Sequence, residues 1–148
     1  LEVLFYHLQG QSLEGTLPQL LERTLQRGWK ATVRASSPER LKALDDHLWT
    51  YADESFLPHG LENDAHATAF PVVLTTGGER LNNADVCFAV DGATLPVTEG
   101  WTRTVLIFDG GDPEALDAAR RQWKDAKAKG LAATYWQQTP EGRWEQKG

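Results

Sequence analysis

Short apolar runs alternate with stretches of helical periodicity along most of the chain. Residues 3–8 (VLFYHL) are dense in strand formers and predict a buried first strand. Thr16 then predicts a helix cap, with Pro18 in the first turn, Leu17, Leu20, Leu21 and Leu25 on the apolar face, and Gly28 as the stop. Residues 29–35 (WKATVRA) alternate as a second strand. Ser37-Pro38 opens another helix, with Leu41, Leu44 and Leu48 inward and Trp49 beside that stripe. Residues 51–69 have weak periodicity and read as a long loop with an apolar centre at 54–59. Residues 70–75, 85–90 and 104–108 predict three more strands. The last leads through Asp109-Gly110-Gly111 into a helix capped by Asp112, with Pro113 in its first turn and Gly130 after its end. Residues 131–137 and 143–146 flank a Pro-Glu-Gly turn and predict a terminal hairpin. Strands alternating with helices imply crossovers and a mostly parallel sheet, so the expected fold is three-layer α/β in one domain over residues 1–148.

Composition narrows the function. A net charge of -6 over 148 residues argues against a general nucleic-acid surface, while leaving room for a local basic pocket. Cys87 stands alone in an apolar run, which predicts a buried thiol and excludes an intrachain disulfide. No apolar run reaches the roughly 18 residues of a membrane span, so the expectation is a cytoplasmic protein with no membrane partner.

Catalytic motifs are missing where this fold would place them. The loop after the first strand, residues 9–15 (GQSLEG after Gln9), has neither a Gly-Lys-Ser/Thr ending nor a G-x-G-x-x-G pattern, and Glu14 would repel a phosphate. His7, His47, His59 and His66 share no metal-ligand spacing. His7 reads as a hydrogen-bonded strand residue, and His47, next to Asp45 and Asp46, as part of a solvated face. Asp109 ends a strand, where it either serves an α/β active site or bonds nearby amides. The enzyme alternative is therefore a degenerate nucleotide-binding hydrolase using Asp109 and the loop at Gly10. The expectation is a non-catalytic chain with no cofactor and no metal.

Two clusters suit binding instead. Arg120, Trp123, Lys124 and Lys127 share one helical face at about 100° per residue. Cations gathered around a large aromatic suit an acidic peptide with an aromatic end. The alternative is a solvated basic edge, with Trp123 in the core and the last cations favoured by the helix terminus. The second cluster joins Trp49 to Phe56, Leu57, Pro58 and His59, either a patch for a partner segment or a loop folded onto its own sheet.

Taken in order, several segments resemble the chi subunit of bacterial DNA polymerase III. They are Phe5-Tyr6, Leu44-Asp45-Asp46-His47-Leu48-Trp49, Glu54-Ser55-Phe56-Leu57-Pro58-His59, Phe108-Asp109-Gly110, Ala119-Arg120-Arg121-Gln122-Trp123-Lys124, Tyr135-Trp136-Gln137 and Gly142-Arg143-Trp144. The resemblance implies an α/β fold related to nucleotide-binding folds without their phosphate loop, and no enzymatic activity. It implies two partners. One is the acidic, phenylalanine-ending tail of single-stranded DNA-binding protein, which maps onto Arg120, Trp123 and Lys124, with Lys127 on the same stripe. Some relatives carry Tyr at the position of Trp123. The other is the psi subunit of the clamp loader, or its equivalent, which maps onto Trp49, Phe56 and Leu57.

Overall fold

The strand β1 (Glu2–Leu8) lies near one end of an eight-stranded sheet, between strands that the chain reaches only about a hundred residues later. In this computed structural model, residues 1–51, 57–96 and 98–148 are described. The remaining elements are α1 (Leu13–Gln26), β2 (Ala31–Arg34), α2 (Pro38–Thr50), β3 (His59–Leu61), a 3-10 turn (Ala67–Ala69), β4 (Val72–Thr75), β5 (Val86–Ala89), β6 (Arg103–Asp109), α3 (Pro113–Ala128), β7 (Ala132–Gln138) and β8 (Trp144–Gln146). The sheet order is β3-β4-β2-β5-β6-β1-β7-β8, with every pairing parallel except β7 with β8. Helices α1 and α2 cover one face and α3 the other, which gives the expected three-layer α/β fold.

Alternation along β1 divides the core. Leu4, Tyr6 and Leu8 face α1 and α2, where Leu17, Leu21, Leu41, Leu44 and Leu48 pack. Val3 and Phe5 face α3, with Leu106, Phe108, Ala119 and Ala126. Cys87 is fully buried, and burial pushes its thiol up to about 12 against the opposing charge of Arg34. Among the described residues, no helix is long and apolar enough to cross a membrane.

Two expectations are corrected here. Helix α1 starts about one turn before Thr16: Ser12 is its cap, accepting a hydrogen bond from the Gly15 amide at 3.1 Å. Pro18 thus lies inside the helix rather than in its first turn. Pro18 has no amide hydrogen for the Glu14 carbonyl, four residues back. His47 fills that gap, its Nε2 lying 2.6 Å from the Glu14 oxygen. His47 is accordingly half-buried between α1 and α2, not part of a solvated face.

The expected loop at 51–69 contains an edge strand. β3 has only three residues, His-Gly-Leu, and none of the usual density of strand formers. It is held by β4, through pairs such as His59 with Val72. Gly60 permits the close approach, because a Cβ there would stand 2.5 Å from the Phe70 ring.

Candidate functional site

Helix α3 is set by its ends. The Asp112 carboxylate accepts from the Glu114 amide at 3.0 Å, Pro113 occupies the first turn, and Gly130 takes the left-handed conformation (φ 73) that ends the helix. Ala119 and Ala126 are its buried positions, and their small side chains let the helix sit close to β1, β6 and β7. Trp123 follows them inward and is half-buried. Its indole meets Phe5 edge-on (5.4 Å, 80°) and Tyr135 edge-on (5.8 Å, 88°). Lys127 Nζ stands 4.7 Å from the indole centroid and donates to the Ala133 carbonyl at 3.3 Å. Gly148 lies along the outer edge of the same ring. Trp123 is therefore both a roof to the α3-side core and a wall open to solvent on part of its surface.

Apart from Lys127, the cations of α3 and its C-cap divide into two sets. Arg121 pairs with Asp117 at 3.5 Å and Lys129 with Asp125 at 2.9 Å, each one helical turn apart. Arg120 and Lys124, on the Trp123 stripe, are exposed and have no ion-pair partner among the described residues.

The surface beside Arg120 continues onto the sheet. Tyr135 of β7 places its Oη 2.7 Å from Nδ1 of His7, at the end of β1. Burial lowers the His7 pKa from its ordinary value; the charge of Asp109 opposes that and the charge of Arg120 adds to it. Burial raises the Tyr135 phenol, with Arg120 again opposing. The Arg120 charge thus reaches both groups. Along the sequence His7 belongs to a strand and Tyr135 to the segment Tyr135-Trp136-Gln137, and no local spacing joins either to the helical stripe.

The second cluster sits at the other end of the sheet. Trp49, near the end of α2, is 50% exposed. Its ring lies 4.2 Å from that of His59, which is itself buried. His59 Nδ1 is 2.6 Å from the Leu57 carbonyl, and Nε2 is 3.1 Å from Asp45 Oδ1, an ion-pair distance without good hydrogen-bond alignment. Asp45 and Trp49 from one motif and His59 from another are thereby brought together. Leu57 is only 2% exposed and packs in the core, so it supports this patch from beneath instead of presenting a surface. Phe56 lies outside the described residues. From β3 to β7 is six strand spacings, roughly 29 Å at about 4.8 Å each, which separates this patch from the α3 surface.

A third feature tests the enzyme alternative. A cleft of about 950 Å³ opens at the carboxyl ends of the central strands, where ligands bind in open α/β sheets. Glu14, Asp91, Asp109, Asp112 and Glu114 all line it. Arg40, a cation at this cleft, is held by Asp91 (3.0 Å) and Glu14 (3.6 Å). Asp109 accepts from the Gly111 amide at 2.9 Å, the turn-closing role. Among the described residues, no group of three or more His, Cys, Asp or Glu is arranged to hold a metal ion.

A model of the family described as "DNA polymerase III chi subunit, HolC" matches residues 1–134. The match stops just before Tyr135. A protein of Rickettsia prowazekii (strain Madrid E), "Probable DNA polymerase III subunit chi", is 26% identical over 81 residues, which cover 55% of this chain and 49% of that protein. The matched part spans about half the length of that relative.

Proposed function

This chain belongs to the DNA polymerase III chi subunit family, and we propose that within DNA replication it acts as a non-catalytic adaptor with two docking surfaces. The first takes the acidic, phenylalanine-ending tail of single-stranded DNA-binding protein on Arg120, Trp123, Lys124 and Lys127. The observation that carries this reading is the division of cations on α3: Arg121 and Lys129 are paired, while Arg120 and Lys124 are exposed beside a half-buried indole without an ion-pair partner among the described residues. Arg120 offers a carboxylate a planar, two-pronged donor, and Trp123 offers an aromatic end group an apolar wall. The second surface, around Trp49 with Phe56 seven residues further along the sequence, takes the psi subunit of the clamp loader or its equivalent. The exposed indole seated on His59 supports that assignment. The two surfaces together would link the clamp-loader assembly to coated single-stranded DNA.

A non-catalytic role is supported by the cleft's chemistry, since carboxylates line the place where a nucleotide's phosphates would lie and Arg40 is already paired. The test of the adaptor reading is titration of the chain with an acidic peptide ending in phenylalanine. Binding that is lost in Arg120→Ala and Lys124→Ala but kept in Arg121→Ala supports it. Equal binding by all four proteins removes the site from this helix.

A further inference from the structure

We propose that His7 is a positioning residue that turns the hydroxyl of Tyr135 outward to receive a carboxylate held by Arg120, and that it makes this recognition stronger at acid pH. The proposal rests on the tail-binding reading and names the group that the site recognises, the free carboxylate at the end of the tail. His7 and Tyr135 come from neighbouring parallel strands, and their contact, Nδ1 to Oη at 2.7 Å, is part-buried. The imidazole has little freedom. Its ring lies 5.3 Å from that of Phe108, and the backbone of Gly110 packs against the Nε2 side so closely that a Cβ at position 110 would overlap the ring. His7 therefore keeps its Nδ1 toward Tyr135.

A phenol has one proton, and the state of His7 decides where it goes. When Nδ1 carries no hydrogen, Tyr135 donates inward and presents lone pairs to an arriving anion, which repels it. When Nδ1 carries a hydrogen, it donates to Oη and the phenol proton is free to point outward, as a donor. The imidazolium always has that hydrogen and adds a positive charge. Three groups act on this switch from the elements around it: Asp109 at the end of β6, Arg120 on α3, and Tyr135 on β7. In the free protein burial favours the neutral form of His7, with Asp109 opposing and Arg120 adding to it. A carboxylate bound to Arg120 offsets that cation, so the imidazolium becomes easier to form when the site is filled. Binding then takes up a proton, and by linkage the affinity rises as pH falls. The same arrangement gives the ligand a direction, because Trp123 meets Tyr135 edge-on at 5.8 Å. A terminal residue with its carboxylate between Arg120 and Tyr135 has its side chain beside the indole.

The experiment uses the full chain and an acidic peptide ending in phenylalanine, titrated by fluorescence anisotropy between about pH 5.5 and 8, where the peptide's own carboxylates stay ionised. The expected result for the unaltered chain is roughly tenfold tighter binding at the acid end, the scale of one charge-assisted hydrogen bond. His7→Leu should bind more weakly at the acid end and lose the pH dependence, and Tyr135→Phe, which keeps the ring packing, should bind more weakly at the acid end with a flattened pH profile, since the His7 charge remains but its hydrogen-bonded relay is gone. A peptide ending in a carboxamide should bind weakly at every pH and be insensitive to Tyr135→Phe. Melting curves establish that each variant is folded. Unchanged affinity and pH profile in Tyr135→Phe would overturn the role of His7 and Tyr135 while leaving the tail site standing. No binding of the peptide by the unaltered chain at any pH would instead remove the tail site itself.

Discussion

The indole of Trp49 rests against the imidazole of the buried His59, ring centroids 4.2 Å apart and planes tilted by 39°. Half of Trp49 is in solvent, whereas His59 is enclosed between the Leu57 carbonyl and Asp45. The pair therefore separates binding from stability. Trp49→Ala should cost less than about 1 kcal/mol of folding stability but about 2 kcal/mol or more of psi-type partner binding. His59→Ala leaves a cavity and unpaired polar groups, and should cost about 2–4 kcal/mol of stability. Urea denaturation of both variants, beside partner titration, checks the split. A Trp49→Ala variant that binds normally would remove the partner from this patch.

On α3, Arg120→Ala and Lys124→Ala should each weaken tail binding by about 1–3 kcal/mol with the melting temperature unchanged. Arg121→Ala, whose partner is Asp117, should change binding by less than about 0.5 kcal/mol. Raising salt should weaken the unaltered interaction through screening of exposed charges. Calorimetric titration at two salt concentrations reads all of these.

The contact between His47 and the Glu14 carbonyl predicts a coupled pair of substitutions. His47→Ala leaves that carbonyl without a donor and should cost about 1–3 kcal/mol. Pro18→Ala restores an amide at the position from which a helix normally supplies one. In the Pro18→Ala background, His47→Ala should therefore cost clearly less. A double-mutant cycle by urea denaturation measures the difference, and strict additivity would sink the explanation.

Glu62 carries the acid response of the β3–β4 edge. Burial acts to raise its pKa, but hydrogen bonds from Thr75 Oγ1 (2.5 Å), the Thr76 amide (3.0 Å), Thr76 Oγ1 (3.2 Å) and the Gly77 amide outweigh it, and the net shift is below the ordinary 4.5. A depressed carboxylate stabilises the fold above its unfolded pKa, and that contribution is lost as pH falls through the folded value. Glu62→Gln should be less stable than the unaltered chain at pH 7. The gap should close below pH 4.5, as chemical denaturation across that range would show.

Magnesium-ATP at millimolar concentration should show no saturable heat of binding and no phosphate release. The carboxylates lining the cleft oppose phosphates, and the loop lacks the lysine and hydroxyl that hold them. Saturable binding abolished by Asp109→Ala would revive the hydrolase reading.

Much of this protein is legible along the chain because it depends on neighbours a few residues apart. The Asp112 cap, the Gly130 stop and the stripe of Arg120, Trp123, Lys124 and Lys127 follow from local capping and a period of about 3.6 residues. Even the division of the α3 cations is visible in their spacing: Arg121 and Lys129 each have an acid four residues earlier, whereas Arg120 and Lys124 follow Leu116 and Arg120 at that distance. Where the local signals were ambiguous, tertiary contacts decided. Ser12 and Thr16 are both good caps, and Pro18 favoured the later one, because a proline inside a helix leaves a carbonyl unserved. Only His47, 33 residues beyond Glu14, makes the earlier start acceptable. β3 lacks strand propensity and exists through its pairing with β4. Leu57 is core because it packs with the leucines of the α1 and α2 side, which no local pattern announces. His7 and Tyr135 are 128 residues apart, and no local pattern relates them. The parallel register of β1 against β7 places them on one face of the sheet. That register is set by burial on both faces, since slipping β1 by one residue would turn Phe5 and His7 away from α3 and expose Leu4 and Leu8 to it.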